Sequence, residues 1–222
     1  MAAINIPRLT ALKPTGVIIA QTVESHSRIA SVISNGGVIA FRTDTFYGLG
    51  ADPFNREAVQ RIKQLKGSHK PILIVISDLD QVTRFVAEPS QTFYLLAKTF
   101  WPGPLTLIGQ AARGVPDEIT AGTQTIGVRL PDDEKVRALV RACGGALTAT
   151  SANPSHQEPA QTAPEVSSYF SDGIDLIIDD GDAGTDQPST VVDVCDVEPR
   201  LIREGVVSWL QIQTAIDQVK IA

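Results

Sequence analysis

The chain has 222 residues, 43% of them hydrophobic and 20% charged, with a formal net charge of −6; one domain with a full core is the simplest reading, and a generic nucleic-acid binder is disfavoured although a local basic cleft is not. Cys143 and Cys195 stand apart from any CxxC or Cys/His cluster, which argues against a disulfide framework or structural zinc and fits a reducing compartment. No apolar run approaches the roughly 18 residues of a membrane span, and the N-terminus has no signal-peptide pattern, so a cytoplasmic protein without membrane contact is expected.

Residues 1–14 carry Pro7 and Pro14 without a clear period and read as an N-terminal tail. Val17 to Ile19 reads as a short strand. Residues 24–34 read as a helix with Ile29, Val32 and Ile33 inward, stopped by Asn35-Gly36-Gly37. His26 lies in this polar segment and reads as solvated.

The most organised stretch runs from Gly36 to Pro71. Val38 to Phe41 has the length of a buried strand. It ends abruptly in Arg42-Thr43-Asp44-Thr45, with Tyr47-Gly48-Leu49-Gly50 following as part of a polar turn. Asn55 can cap a helix whose Val59, Ile62 and Leu65 share one face. That helix runs into Lys63, Lys66, Gly67, His69 and Lys70. Hydroxyls and backbone amides at a strand end, facing a lysine cluster, make a place for an anionic small molecule. A surface turn beside a basic helix end, which suits the helix dipole, reads the same residues equally well.

Residues 71–76 form a continuous apolar run that suits a central strand covered on both faces. A helix is expected from Ser77-Asp78-Leu79-Asp80 onward and another over 91–100, broken by Trp101-Pro102-Gly103-Pro104. Leu105 to Ile108 reads as a strand in which Thr106 faces either a site or solvent. Thr125 to Leu130 is a strand with Arg129 inside it. An arginine in an apolar strand needs a partner, because burying it alone is very costly. The internal candidate is Asp132. The functional one is a ligand carboxylate or phosphate, which the guanidinium fork matches.

Residues 133–143 read as an amphipathic helix with Val136, Leu139 and Val140 inward. Residues 146–155 run from strand to turn and set Thr150, Ser151 and Asn153 side by side. Such clusters favour turns locally, and they also stand where open α/β sheets bind ligands. Ser151 has no GxSxG setting, and His156 alone makes no triad. A loop over 157–162, a helix over 164–170 and a strand over 175–180 follow. The loop from Gly181 to Pro188 has no GK[ST] phosphate signature, and its glycines would permit a lid. Strands are expected over 189–194 and at Leu201 to Gly205, the latter carrying Arg203, and a helix over 208–219. The expected organisation is a tail (1–14), one domain (15–207) and a C-terminal helix (208–222). The expected fold class is α/β: a mixed, twisted, open sheet with helices on its faces and a concave ligand-binding surface.

Several segments, in order, resemble the YrdC/TsaC family, the L-threonylcarbamoyladenylate synthases, in its single-domain form. They are Thr43-Asp44-Thr45-Phe46-Tyr47-Gly48-Leu49, Leu65-Lys66-Gly67 with Lys70-Pro71, Trp101-Pro102-Gly103-Pro104-Leu105-Thr106, Gly127-Val128-Arg129, Thr150-Ser151-Ala152-Asn153-Pro154-Ser155, Pro188-Ser189-Thr190-Val191-Val192-Asp193 and Ile202-Arg203-Glu204-Gly205. The resemblance implies a nucleotidyltransferase that joins L-threonine, bicarbonate and ATP. It releases pyrophosphate and makes threonylcarbamoyl-AMP for the t6A modification of tRNA, which downstream transfer proteins complete. Mg2+ is expected with ATP, held by no protein metal cage. The implied roles are Lys66 and Lys70 in catalysis, with Thr106, Ser151, Asn153 and Arg203 joining them on ATP. Thr45, Arg129 and Ser189 would hold threonine. One departure stands out: the family's basic motif carries an arginine shortly after its lysine, and here Gly67-Ser68-His69 follow Lys66 in a shorter loop. Arg42, Arg61 and His69 are the candidates to replace that charge. The alternative reading is a nucleotide- or RNA-binding paralogue with weak or no synthase activity.

Overall fold

The structure is a computed structural model that describes residues 16–185 and 187–220. The expected tail over 1–14 lies outside the described residues.

Side chains alternate between the two faces of a strand, and here each face meets its own apolar cluster. In β2 (Ile39–Arg42), Ile39 and Phe41 enter one cluster and Ala40 the other. In β9 (Leu176–Asp179), Leu176 and Ile178 part from Ile177 in the same way. In β4 (Ile74–Ile76), Val75 parts from Ile74 and Ile76. Two cores, one on each face, explain why these runs are continuously apolar, as expected for residues 71–76.

The mixed α/β class stands, but the strands form two sheets where one was expected. The first is ordered β1 (Ile18–Ala20), β9, β2, β3 (Tyr47–Gly50), β8 (Thr150–Ser151). The second is ordered β11 (Arg200–Arg203), β10 (Thr190–Asp193), β5 (Leu105–Gln110), β6 (Thr125–Arg129), β4, β7 (Ala146–Thr148). Both mix parallel and antiparallel pairs. The chain changes sheets at Ala149, between β7 and β8. The two sheets are tied there by Thr148 N–H donating to Ala51 O at 3.0 Å and Ala51 N–H to Thr148 Oγ1 at 2.9 Å. Strand pairing is long-range, so no local pattern announces that β9 inserts between β1 and β2.

Helices α1 (Val23–Ser34) and α5 (Glu134–Ala142) close the smaller cluster with Ile29, Ile33, Val136, Leu139 and Val140. Against the larger cluster stand α2 (Arg56–Lys66), α3 (Gln91–Phe100), α4 (Asp117–Thr120), α6 (Ala163–Tyr169) and α7 (Trp209–Lys220). Asn55 caps α2, its Oδ1 accepting from Ala58 N–H at 3.0 Å, and Gly67 ends it in the left-handed region at φ 59°. Two expectations need correction. The helix expected from Ser77 is a 3-10 turn over Leu79–Arg84. Tyr47 to Gly50, read as turn, is strand β3, antiparallel to β2. Its glycines hide it, since glycine weakens a strand on propensity alone. Gly50 is there for room: a Cβ on it would sit 2.7 Å from Cε1 of Phe41.

Gly50→Ala should therefore push the β2–β3 hairpin against a buried ring, costing about 1–3 kcal/mol and lowering Tm by a few degrees. In a double-mutant cycle, Phe41→Leu should recover part of that loss. An unchanged Tm in Gly50→Ala would show that the hairpin accommodates the methyl group without strain.

Candidate active site

The loop joining β2 to β3 is folded by its own hydroxyls. Thr43 N–H and Oγ1–H both donate to Phe46 O, at 3.1 and 2.8 Å, and Thr45 N–H donates to Thr43 Oγ1 at 3.2 Å. This aims Thr43, Asp44 and Thr45 at the end of β6 in the other sheet. There Arg129, only 3% exposed, donates from Nη1 to Thr45 Oγ1 at 3.2 Å and from Nη2 to Thr43 Oγ1 at 3.3 Å. Its ion-pair partner is Asp44, Nη2 to Oδ1 at 3.2 Å. Asp132, the internal partner expected from the sequence, contributes only its backbone N–H, which donates to Asp44 Oδ2 at 3.3 Å. The Nε of Arg129 is buried with no hydrogen-bond partner.

Arg203, on β11, grips the next element. Its Nη2 and Nε donate to Ser189 O at 2.8 and 3.1 Å, and Nη2 also reaches Ser189 Oγ at 3.2 Å. Behind Ser189, its Oγ and Thr106 Oγ1 are 3.0 Å apart. Burial lowers the pKa of both arginines; Asp44 opposes the shift at Arg129, whereas the charge of Arg129 adds to it at Arg203. Guanidinium groups stay charged in proteins, so two coupled cations face a cavity of about 430 Å3 that Thr45 and Ser189 also line. An anion placed there relieves their repulsion.

A larger cavity, about 650 Å3, adjoins it and shares Pro71, Thr150, Ser151 and Arg203 with it. Lys63, Lys66 and Lys70 line this second lobe, and no carboxylate does among the described residues. Lys66 is fixed by neutral acceptors: its Nζ donates to Ser151 O at 2.6 Å, Ser151 Oγ at 3.1 Å and Asn153 Oδ1 at 3.0 Å. With burial and no counter-charge, its pKa falls to about 8. A desolvated ammonium without an acid is prepared for an anionic ligand.

The expected site residues thus gather in one two-lobed cleft. Thr45, Arg129 and Ser189 line the smaller lobe, Lys66, Lys70 and Asn153 the larger, and Ser151 and Arg203 the junction. Thr106 lines neither lobe and stands behind Ser189, 1% exposed. Of the three candidates to replace the missing arginine charge, Arg42 is committed to Asp133 and Asp180, at 2.6 and 2.7 Å, and Arg61 to Asp175. Only His69 lines the larger lobe. The sequence reading missed Asp44 as the partner of Arg129, although its place between two threonines of a turn was a usable signal. It also missed Tyr47, whose buried hydroxyl donates to Gly181 O at 2.8 Å and fixes the start of the loop from Gly181 to Pro188; burial raises the pKa of that phenol to about 12.

The sign of the Lys66 shift fixes two pH effects. Between about 8 and the ordinary 10.5, the unfolded chain holds a proton on this lysine that the folded chain has released. This group's contribution to stability therefore rises with pH across that window. Anion binding runs the other way, weakening as pH rises through about 8 in the free protein. Lys66→Met should flatten the pH dependence of anion affinity in that range and raise Tm at pH 7, while lowering that affinity about tenfold or more. An unchanged pH profile in Lys66→Met would assign the titration to another group.

The sequence from residue 31 to 205 matches the Sua5/YciO/YrdC family model, described as telomere recombination. A curated threonylcarbamoyl-AMP synthase of Pyrococcus abyssi is 36% identical over 86% of this chain and 57% of its own length. One of Idiomarina loihiensis is 38% identical over 76% of this chain and 90% of its own. The chain thus spans just over half of the longer relative and most of the shorter one. The crystal structure of P. abyssi Sua5 complexed with L-threonine is 34% identical and superposes with a TM-score of 0.84, over 91% of this chain and 60% of that one. The chain belongs to the Sua5/YciO/YrdC family.

Proposed function

We propose that this chain is a threonylcarbamoyl-AMP synthase, joining L-threonine, bicarbonate and ATP with release of pyrophosphate. The observation that carries the reading is the division of one cleft into two cationic lobes of different character. The smaller has a buried, forked cation ringed by hydroxyls, which suits an amino-acid carboxylate and a polar side chain. The larger has lysine point charges and no acid among its described lining residues, which suits a polyphosphate. The shared residues Thr150, Ser151 and Arg203 stand where the two substrates would meet. The names of the relatives at 36 and 38% identity and the L-threonine complex of P. abyssi Sua5 support the same assignment.

In this reading the threonine amine and bicarbonate-derived CO2 form a carbamate. A carbamate oxygen attacks the α-phosphorus, the bond from that phosphorus to the bridging oxygen breaks, and pyrophosphate leaves with the electron pair. The chain needs no nucleophile for this; it supplies position and positive charge. Arg129 orients threonine through its carboxylate. Ser189, backed by Thr106 and gripped by Arg203, presents a hydroxyl to the same substrate. Lys66, held against Ser151 and Asn153, and Lys70, whose ammonium has no partner among the described residues, offset charge on the β- and γ-phosphates.

Magnesium enters with the nucleotide. The larger lobe offers cations, hydroxyls and amides, with no carboxylate among its described lining residues, so these side chains do not fit as ligands of the ion, and no step is assigned to it. The product would pass to downstream proteins for t6A modification of tRNA. Two free cysteines fit a reducing, cytoplasmic setting. Among the described residues, no helix is long and apolar enough to cross a membrane.

The test is pyrophosphate release from ATP by the purified protein. Release that requires both L-threonine and bicarbonate is expected. Arg129→Lys keeps the charge but loses the fork, and should raise the threonine KM about tenfold or more with a much smaller change in the KM for ATP. Nucleotide binding without threonine-dependent release would favour the nucleotide-binding paralogue instead.

A further inference from the structure

The turn after β8 holds a histidine where the backbone favours glycine. Gln157 N–H donates to Pro154 O at 3.2 Å and closes a turn whose third residue is His156. His156 has φ 72°, a left-handed value that glycine or asparagine usually fills and that a larger Cβ-bearing residue adopts at a cost. The turn is bolted to Lys66. Ser155 donates to Lys66 O from its N–H at 3.0 Å and from its hydroxyl at 2.7 Å. Asn153 accepts from Lys66 Nζ at 3.0 Å and donates to Pro154 O at 3.1 Å and to Gln157 O. The turn backbone and the Lys66 ammonium therefore form one frame, and His156 is carried on it.

The imidazole of His156 has no hydrogen-bond partner among the described residues, is exposed, and lines the larger lobe. It contributes nothing to the core, so packing does not explain why a strained position keeps a large side chain. Strain retained at a cleft points to a ligand. The other titratable groups lining that lobe are Lys63 and Lys66 from α2, His69 and Lys70 from the loop after it, and Arg203 from β11. The nearest carboxylate in the same loop, Glu158, lines the smaller lobe instead.

We propose that His156 is a specificity-determining residue for the polyphosphate end of the nucleotide, donating from a ring N–H to a phosphate oxygen beyond the α-phosphate. A glycine in its place would ease the turn and offer no side-chain donor. The inference rests on the reading that the larger lobe holds the triphosphate. It extends that reading by assigning part of the charge recognition to a residue outside the lysine cluster.

Calorimetric titration of the wild type, His156→Gly and His156→Asn with inorganic tripolyphosphate and, separately, with AMP tests it. His156→Gly should weaken tripolyphosphate binding about tenfold, the scale of one hydrogen bond to a charged group, with AMP affinity unchanged and Tm not lowered. His156→Asn, which tolerates the left-handed backbone and keeps an N–H donor, should retain more of the tripolyphosphate affinity than His156→Gly. Wild-type tripolyphosphate affinity in His156→Gly would overturn the assignment, and so would an equal loss for AMP, which would place the imidazole at the adenosine end. Threonine-dependent pyrophosphate release by the wild type, measured in parallel, separates the two readings. Its absence alongside a selective tripolyphosphate loss removes the synthase and keeps the role of His156. Its presence alongside unchanged tripolyphosphate affinity does the reverse.

Discussion

Burying a guanidinium without a counter-charge costs several kcal/mol, and Arg129 is almost fully buried. Every group that answers its charge comes from the other sheet: the hydroxyls of Thr43 and Thr45 and the carboxylate of Asp44. The contact therefore acts as a staple between β6 and the β2–β3 loop as well as a floor for the cleft. The loop can present those groups only because its hydroxyls and amides are already folded on themselves. Truncating any member leaves a buried charge or hydroxyl unpaired, which costs more than the pair contributes when intact. A ligand carboxylate that engages Arg129 enters a lattice of donors already in place.

The larger lobe follows the opposite rule. No carboxylate lines it among the described residues, although Glu118 acts on Lys63 from outside the lobe. Lys66 is held in direction by two oxygens of Ser151 and one of Asn153, and these do not cancel its charge. Burial then lowers its pKa, so the protein carries a destabilised ammonium that a phosphate would stabilise. One lobe is preorganised by hydrogen bonds and the other by unmet charge. In the proposed function, that difference would let one short cleft sort a small zwitterion from a polyphosphate.

The sequence revealed these parts unevenly. The run over 71–76 announced a strand covered on both faces, because two cores claim alternate side chains of β4. Arg129 was conspicuous because a lone arginine inside an apolar strand demands a partner. Lys66 and Lys70 were visible as a cluster at and beyond the end of a helix whose cap and stop, Asn55 and Gly67, could both be read locally. What could not be read was long-range. The insertion of β9 between β1 and β2, the division into two sheets and the choice of Asp44 over Asp132 depend on pairings between distant segments. Strand β3 was hidden by its two glycines, of which Gly50 clears the ring of Phe41. The withdrawal of Thr106 behind Ser189 depends on the register of β5 against β10, which alternation within one strand does not give.

In the proposed function one cleft holds threonine on Arg129 and the triphosphate on Lys66. A crystal structure of this protein with L-threonine and a non-hydrolysable ATP analogue would decide it. The expected result is the threonine carboxylate within hydrogen-bond distance of the Arg129 guanidinium, the β- and γ-phosphates against Lys66, and the two ligands meeting beside Thr150 and Ser151. Phosphates seated on Arg129, or either ligand bound outside the cleft, would contradict it.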